Sequence, residues 1–194
     1  MSNQRFSVCV YCGSRPGALP AYAEAAAEVG RLIGQAGGRL IYGGGRSGLM
    51  GIVADATLAS GGEVIGVIPR SLMDREHGHT GLTELHVVET MHERKQMMAE
   101  RADAFLTLPG GIGTFEELFE TWTWLQLGYH AKPVGLLDVA GYYGPLQQML
   151  AHTVQQGFFS PQQNDTLLVD ESPERLLQRL RVACRGNGED YSRI

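Results

Sequence analysis

The sequence predicts an α/β fold: a doubly wound, Rossmann-like parallel sheet with helices on both faces, in a single domain. Short apolar runs that end in glycine or proline alternate with longer segments of helical periodicity, a pattern typical of parallel strands joined by helices. A length of 194 residues fits one domain. The chain also holds 26 glycines, a share about twice the usual ~7%, so many backbone positions need unusual freedom.

The apolar runs predict buried strands at 6–11, 40–42, 64–68, 85–88, 104–108 and 134–137. The periodic segments predict helices at 21–35, 49–60, 91–101, 115–127, 145–156 and 173–184. We therefore assign residues 1–184 to one domain and the polar residues 185–194 to a disordered tail.

Composition excludes several classes of function. The net charge is −5 and the arginines are scattered, so the basic stripe that tracks nucleic-acid phosphates is missing. No stretch approaches 18 apolar residues and the start lacks the pattern of a signal peptide, so we expect a cytoplasmic protein with no membrane partner.

The cysteines do not predict redox chemistry. Cys9 and Cys12 match a dithiol spacing, but Cys9 lies inside a predicted strand, where alternation places the two thiols on opposite faces. With Cys184 the number of cysteines is odd, which disfavours a disulfide framework.

The ends of the predicted strands carry the candidate site. In doubly wound folds, ligands bind beyond the carboxyl ends of the strands. Here those ends are 12–14, 43–48, 69–71 and 109–114, and three of these four segments contain glycine. Ser14 ends the first of them and is a candidate ligand contact.

The segment 43–48 contains Gly43, Gly45 and Gly48 in the spacing G-x-G-x-x-G. A dinucleotide site is disfavoured for two reasons. Its glycine motif normally follows the first strand, whereas here it follows the second, and the acidic residue that should end the next strand is replaced by Glu63 at the beginning of that strand. A nucleotide triphosphatase loop is excluded because no Lys-Ser/Thr pair follows. The amides of these glycines and of Gly44, beside a helix start, predict an anion site.

The segment Pro109-Gly-Gly-Ile-Gly-Thr-Phe-Glu-Glu117 supports two interpretations. Thr114 and Glu117 have the spacing of a capping box, in which the glycines only allow a tight turn. Alternatively, the turn is a phosphate cradle with a carboxylate beside it. The segment by itself leaves both open.

The segment from Thr90 to Lys95 favours the cradle. Thr90 and Glu93 form a capping box, and Arg94 and Lys95 follow in the first turns of the helix. Cations near a helix amino end oppose the helix dipole, so an anionic partner explains them better than a solvated face. The predicted strand that follows ends in the 109–114 turn, which would bring both segments to one site.

The loop 69–83 is long and polar, with Glu76, His77 and His79. No further cluster of metal ligands accompanies the two histidines, so we expect the rim of an active site without a metal. Glu76 is the best candidate in this loop for binding a ribose hydroxyl. A serine hydrolase is disfavoured because no G-x-S-x-G segment occurs.

Taken together, residues 43–51, 91–95 and 109–117 resemble the Lonely Guy family of cytokinin riboside 5′-monophosphate phosphoribohydrolases. The likeness runs from Val8 to about Asp170. It implies a Rossmann-like homodimer that needs no cofactor and cleaves an adenine-type nucleoside 5′-monophosphate, such as AMP, to free base and ribose 5-phosphate. The residues that match catalytic positions of the family are Arg94 and Glu117.

The resemblance also implies substrate contacts. Added to the glycine segments and to Ser14, they give an expected binding set of Ser14, Gly43, Gly44, Gly45, Gly48, Glu76, Lys95, Gly110, Gly111, Ile112, Gly113, Thr114, Phe115, Glu116 and Thr123. Within this set the 110–114 turn would hold the phosphate. Glu117 would stabilise the developing positive charge on the sugar and activate water, and Arg94 would fix the carboxylate or the sugar hydroxyls.

Two other functions remain as alternatives. A nucleotide carrier or sensor could use the same cradle without catalysis. Relatives have also been labelled lysine decarboxylases, which the sequence disfavours because Lys95 and Lys132 are its only lysines and no pyridoxal-binding segment is evident. A dimer has independent support, since Trp122 and Trp124 project from different sides of one helix and a single core face cannot easily bury both.

Overall fold

The six predicted strands all form, and a seventh joins them at one edge of the sheet. The computed structural model describes residues 5–73 and 78–186. The strands within these ranges are β1 (Ser7–Tyr11), β2 (Arg39–Tyr42), β3 (Glu63–Pro69), β4 (Glu84–Val88), β5 (Ala104–Thr107), β6 (Val134–Leu137) and β7 (Leu167–Asp170).

The strands form one parallel sheet in the order β4-β3-β2-β1-β5-β6-β7. The chain winds outward from β1 in one direction to β4 and then returns to β5, on the other side of β1. The two strands are in register at their ends, with Tyr11 opposite Thr107. This reversal opens a crevice above β1 and β5, where ligands of doubly wound folds bind.

The helices within the same ranges are α1 (Pro20–Gln35), α2 (Gly48–Ala59), α3 (Met91–Arg101), α4 (Ile112–Leu127), α5 (Gly144–Gln155), α6 (Pro161–Asn164) and α7 (Pro173–Gly186). The sequence did not predict α6 or the short 3₁₀ turns Arg70–Leu72 and Val139–Gly141. None of the described helices is long and apolar enough to cross a bilayer.

Two of the predicted helix ends need correction. Helix α4 begins three residues earlier than predicted, at Ile112. Helix α7 continues to Gly186, so the first two residues of the predicted tail are helical. The rest of that tail, 187–194, lies outside the described residues.

The core consists of two apolar clusters, one on each face of the sheet. Side chains of α1, α2 and α7 cover one face and those of α3, α4 and α5 cover the other. Cys12 belongs to the first cluster and Cys9 to the second, as strand alternation predicted. Burial raises the pKa of both thiols, so they stay protonated and are unsuited to dithiol chemistry.

Candidate active site

A cavity of about 480 Å³ lies above the carboxyl ends of β1 and β5. It is bounded by the loop after β1, the first turns of α2, the turn between β5 and α4, and single side chains from α1, α3 and the segment after β6. Its lining consists of residues 12–17 and 109–114 together with Tyr22, Leu49, Met50, Arg94, Glu117 and Tyr142.

The start of α4 forms one wall of this cavity. Gly111 is the N-cap residue, so Thr114 lies inside the helix and the predicted capping box of Thr114 with Glu117 is wrong. Gly111 has no side chain that could cap the helix. The first amides of a helix have no partner within it, and here those of 112–114 belong to cavity-lining residues. This end of α4 is therefore suited to an anion.

Glu117 lines the same cavity from within α4, one turn after Gly113. The residue is half-buried. Burial raises the pKa of the Cys12 thiol, and the negative charge of Glu117 raises it further. Glu117 thus places a carboxylate side chain among the residues that line the cavity.

Arg94 reaches the cavity from the first turn of α3 and is 5% exposed. Its Nε donates to the carbonyl of Val67 at 3.2 Å and its Nη2 to that of Gly43 at 3.1 Å. A Cβ atom at Gly43 would lie 2.0 Å from Nη2, so any side chain at this position would displace the guanidinium. The ends of β2 and β3 thus fix a buried guanidinium beside the cavity that Glu117 also lines.

The glycine segment after β2 supports the site without lining it. Gly43 makes room for Arg94, while Gly44, with φ of 77°, packs against Ile68 and Leu85. Gly48 lies against the backbone of Ser14, where a Cβ atom would approach to 2.3 Å. The fourth member, Gly45, forms an isolated bridge with Gly78. Direct contact of these glycines with a ligand stays a prediction.

Lys95 finds its anionic partners within the protein. Its Nζ donates to Glu116 at 2.6 Å and to Glu120 at 2.9 Å, both on α4. None of the three residues lines the cavity. The cation pair predicted from the sequence is therefore split between a buried arginine at the cavity and a lysine that ties α3 to α4.

The remaining predicted contacts differ in position. Ser14 is exposed and lines the cavity. Phe115 points to the core instead, where its ring lies 6.0 Å from that of Tyr143. Thr123 is exposed on α4 and outside the cavity lining. Glu76 and His77 lie outside the described residues.

His79 has a structural role. It is 5% exposed, and its Nδ1 accepts from the amide of Gly81 at 3.1 Å. Its Nε2 therefore carries the proton and donates to Asp55 at 2.9 Å. No cluster of three or more potential metal ligands occurs among the residues that the structure describes.

Sequence reasoning missed two cavity-lining side chains with obvious chemistry. Arg15 is an exposed cation on the loop after β1 and could have been found from its place beside Ser14. Tyr142 comes from the segment after β6, and no sequence pattern marks it.

Comparison with known sequences finds one matching family model and relatives that share the same named activity. A family model described as "Possible lysine decarboxylase" matches residues 50–180. The cytokinin riboside 5′-monophosphate phosphoribohydrolase of Rhodococcoides fascians is 48% identical over 176 residues, covering 90% of this chain and 89% of that protein. A protein of Arabidopsis thaliana with the same activity in its name is 46% identical over 173 residues, covering 89% and 80% of the two chains.

Comparison with solved structures confirms the fold. The molybdenum cofactor binding protein of Rippkaea orientalis superposes with a TM-score of 0.71 at 21% identity, covering 93% of this chain and 98% of that one. The molybdenum cofactor carrier protein of Chlamydomonas reinhardtii gives 0.69 at 18% identity, with 94% and 99% coverage. At this level of identity the likeness extends to the fold alone.

We predict that Lys95→Met lowers the free energy of unfolding by about 1 kcal/mol, because the exposed carboxylate of Glu116 and the partly buried one of Glu120 lose their shared cation. Urea denaturation measures this loss. The affinity for a nucleoside monophosphate should change less than threefold, measured by calorimetry. The exposed neighbour Gln96→Met is the control and should change neither quantity. A tenfold loss of affinity with unchanged stability would instead place Lys95 on the ligand.

Proposed function

The chain belongs to the Lonely Guy family of cytokinin riboside 5′-monophosphate phosphoribohydrolases, and we propose that it hydrolyses the N-glycosidic bond of adenine-type nucleoside 5′-monophosphates. The products are the free base and ribose 5-phosphate. One observation carries this proposal: the amino end of α4, the Glu117 carboxylate and the buried Arg94 guanidinium line a single cavity. We also propose that the enzyme acts in the cytoplasm.

The geometry suits the reaction in two parts. The first-turn amides of α4 are placed to hold the 5′-phosphate, with Arg15 as a further cation at the cavity. Glu117 lies roughly 6 Å along the helix axis from Gly113, so that a ribose can lie between the phosphate and the carboxylate. Binding energy from the phosphate then positions the bond that breaks.

At the reacting carbon, the bond from C1′ to the base breaks and its electron pair leaves with the base nitrogen, while positive charge builds on the sugar. The Glu117 carboxylate stabilises that charge and takes a proton from the water that adds to C1′. The departing base gains a proton from solvent and Glu117 returns its proton to solvent, so the products are the neutral free base and ribose 5-phosphate. The Arg94 guanidinium fixes the Glu117 carboxylate or a sugar hydroxyl, which its planar, fork-shaped geometry does better than an ammonium group.

A pyridoxal-dependent decarboxylase does not fit this site. That chemistry needs a lysine beside the substrate, and the chain has only Lys95 and Lys132. Lys95 is paired with Glu116 and Glu120, while the Nζ of Lys132 donates to the carbonyl of Ala99 at 2.7 Å. Neither lysine lines the cavity.

A carrier without catalysis is the other candidate. The two molybdenum cofactor proteins share the fold of this chain, but at 21% and 18% identity the likeness shows the fold and not the function. A protein that only binds a phosphorylated ligand gains little from a carboxylate near its phosphate site. Glu117 in the cavity therefore favours the enzyme.

The same proposal includes a homodimer. Trp122 is buried and its Nε1 donates to Thr166 at 2.8 Å, whereas Trp124 is only half-buried and lines a second depression, between α3 and α4. Leu127 and Tyr129, at the end of α4, are 61% and 52% exposed. This exposed apolar surface is suited to a second copy of the chain.

We predict twice the chain mass in light scattering. Leu127→Glu should shift the protein toward the monomer, since it places a charge in the apolar surface. Val182→Glu, at a residue 64% exposed on α7, is the matched control and should leave the mass unchanged. A wild-type protein with the mass of a single chain would contradict the proposed dimer.

The substrate is tested by chromatography of the products. We predict that the protein releases free base from AMP or from isopentenyladenosine 5′-monophosphate, and that the matching ribosides react at least a hundredfold more slowly because they cannot use the amides of α4. Equal cleavage of nucleotides and ribosides would remove the basis for a phosphate cradle. Stoichiometric nucleotide binding with no base released over hours would favour the carrier.

We predict that Glu117→Gln and Arg94→Ala each lower kcat by a factor of about 10² to 10⁴, the usual contribution of a positioned acid–base group. Circular dichroism should show that both variants remain folded. Glu120→Gln is the matched control: it changes a carboxylate on the same helix that does not line the cavity, and it should retain activity. Near wild-type turnover by either active-site variant would refute the assignment.

A further inference from the structure

The carbonyl oxygens of the turn before α4 accept hydrogen bonds from residues far away in the sequence. The carbonyl of Leu108 accepts from the hydroxyl of Tyr143 at 2.7 Å, and that of Gly110 accepts from the hydroxyl of Tyr142 at 2.5 Å. Between them, the carbonyl of Pro109 accepts from the amide of Gly13 at 3.0 Å. Three consecutive carbonyl groups, each with a partial negative charge, are thus bound to donors from elsewhere in the chain.

This arrangement matters because an anion site needs amides and not carbonyls. A glycine-rich turn can rotate its peptide groups easily, and a carbonyl oxygen pointing into the cavity would repel a phosphate. Bonds to the carbonyls of 108–110 fix these peptide groups in one orientation. The amides that follow, in the first turn of α4, are then the groups left for the cavity.

Tyr142 and Tyr143 directly follow a strained turn after β6. Ala140 has φ of 52°, in the left-handed region that a residue with a side chain rarely adopts. The turn is held by Asp138, which is 7% exposed and accepts from the amide of Tyr143 at 2.7 Å. Its other oxygen accepts from the side chain of Gln147 at 2.9 Å. The left-handed conformation of Ala140 is thus held in place directly before the two tyrosines whose hydroxyls bind the 108–110 segment.

The two side chains are well braced in this position. Their rings meet edge to face with centroids 4.9 Å apart, and Tyr22 contacts Tyr142 in the same manner at 5.7 Å. Tyr143 is completely buried, and burial raises the pKa of its hydroxyl, which therefore remains a donor. Tyr142 is half-buried and lines the cavity.

We propose that Tyr142 and Tyr143 are positioning residues for the phosphate cradle, and that Tyr142 sets the preference for phosphorylated over unphosphorylated substrates. The inference rests on the proposed function and extends it to residues outside the recognised motifs. The hydroxyls act through the turn: they bind the carbonyls of Gly110 and Leu108, and the amides of α4 bind the phosphate.

The decisive variant is Tyr142→Phe, which removes one hydroxyl and keeps the ring packed against Tyr22 and Tyr143. With the carbonyl of Gly110 released, KM for the nucleoside monophosphate should rise about tenfold while kcat stays within threefold. The kcat/KM for the unphosphorylated riboside should not change, so the preference for the nucleotide falls about tenfold. Tyr143→Phe should act in the same direction with a smaller effect on KM, since Leu108 does not line the cavity.

Tyr42→Phe is the matched control. Tyr42 is a fully buried tyrosine at the end of β2, and within the described part of the chain its hydroxyl has no hydrogen-bond partner. The substitution therefore removes a buried hydroxyl without freeing a carbonyl. KM, kcat and the nucleotide preference should all stay at wild-type values. Thermal melting of each variant reports whether it is folded, and the half-buried Tyr142→Phe remains decisive if Tyr143→Phe does not fold.

A calorimetric titration with ribose 5-phosphate separates this inference from the proposed function. A wild-type protein that releases no base from any nucleotide would defeat the proposed function, but the titration would still test the cradle. A tenfold weaker affinity in Tyr142→Phe and an unchanged one in Tyr42→Phe support the inference. Equal affinity in wild type and Tyr142→Phe, no binding by the wild type, or a fall in kcat with unchanged KM would overturn it.

Discussion

The orientation of the peptide groups between β5 and α4 is the constraint on which the site depends. These residues must leave a buried strand, start a helix and present amides to a cavity, all within a few positions. Glycine makes the turn possible but does not choose between its conformations. The choice is made by the partners of its carbonyl groups, which come from β1 through Gly13 and from the segment after β6 through two tyrosine hydroxyls.

The charged residues of α3 and α4 are divided between the cavity and the contact between the two helices. Arg94 and Lys95 are adjacent in sequence, but about 100° of helix rotation sends them to different surroundings. Arg94 is enclosed by the carbonyls at the ends of β2 and β3 and reaches the cavity, whereas Lys95 joins α3 to α4 through Glu116 and Glu120. Rotation likewise separates Glu117, in the cavity, from Glu116.

The sequence was sufficient for six of the seven described strands and for most of the described helices. Buried parallel strands are continuous apolar runs, and the rule that ligands bind at strand ends predicted a site where the structure has a cavity. β7 was missed because its four residues lie at the sheet edge without a flanking glycine or proline. The start of α4 was misplaced because Thr114 and Glu117 match a capping box, while the true cap is Gly111, which has no side chain to signal it.

Arg94 and Glu117, which the family resemblance marked as catalytic, both line one cavity, and their catalytic roles stay a prediction. Contacts between residues far apart in sequence were not predictable. The contact of Gly43 with Arg94 could not be predicted from the sequence, because only the fold brings the two residues together. Tyr142 could not be predicted at all, since its partner Gly110 is 32 residues away in sequence and the strained turn at Ala140 has no pattern of its own.

The most direct test of this account is a crystal structure of the Glu117→Gln variant with an adenine-type nucleoside 5′-monophosphate bound. We expect the phosphate within hydrogen-bonding distance of the first-turn amides of α4, with C1′ facing residue 117 and the side chain of Arg94 beside it. The hydroxyl of Tyr142 should remain bound to the carbonyl of Gly110. A phosphate bound at the 43–48 segment, or a ribose turned away from residue 117, would contradict it.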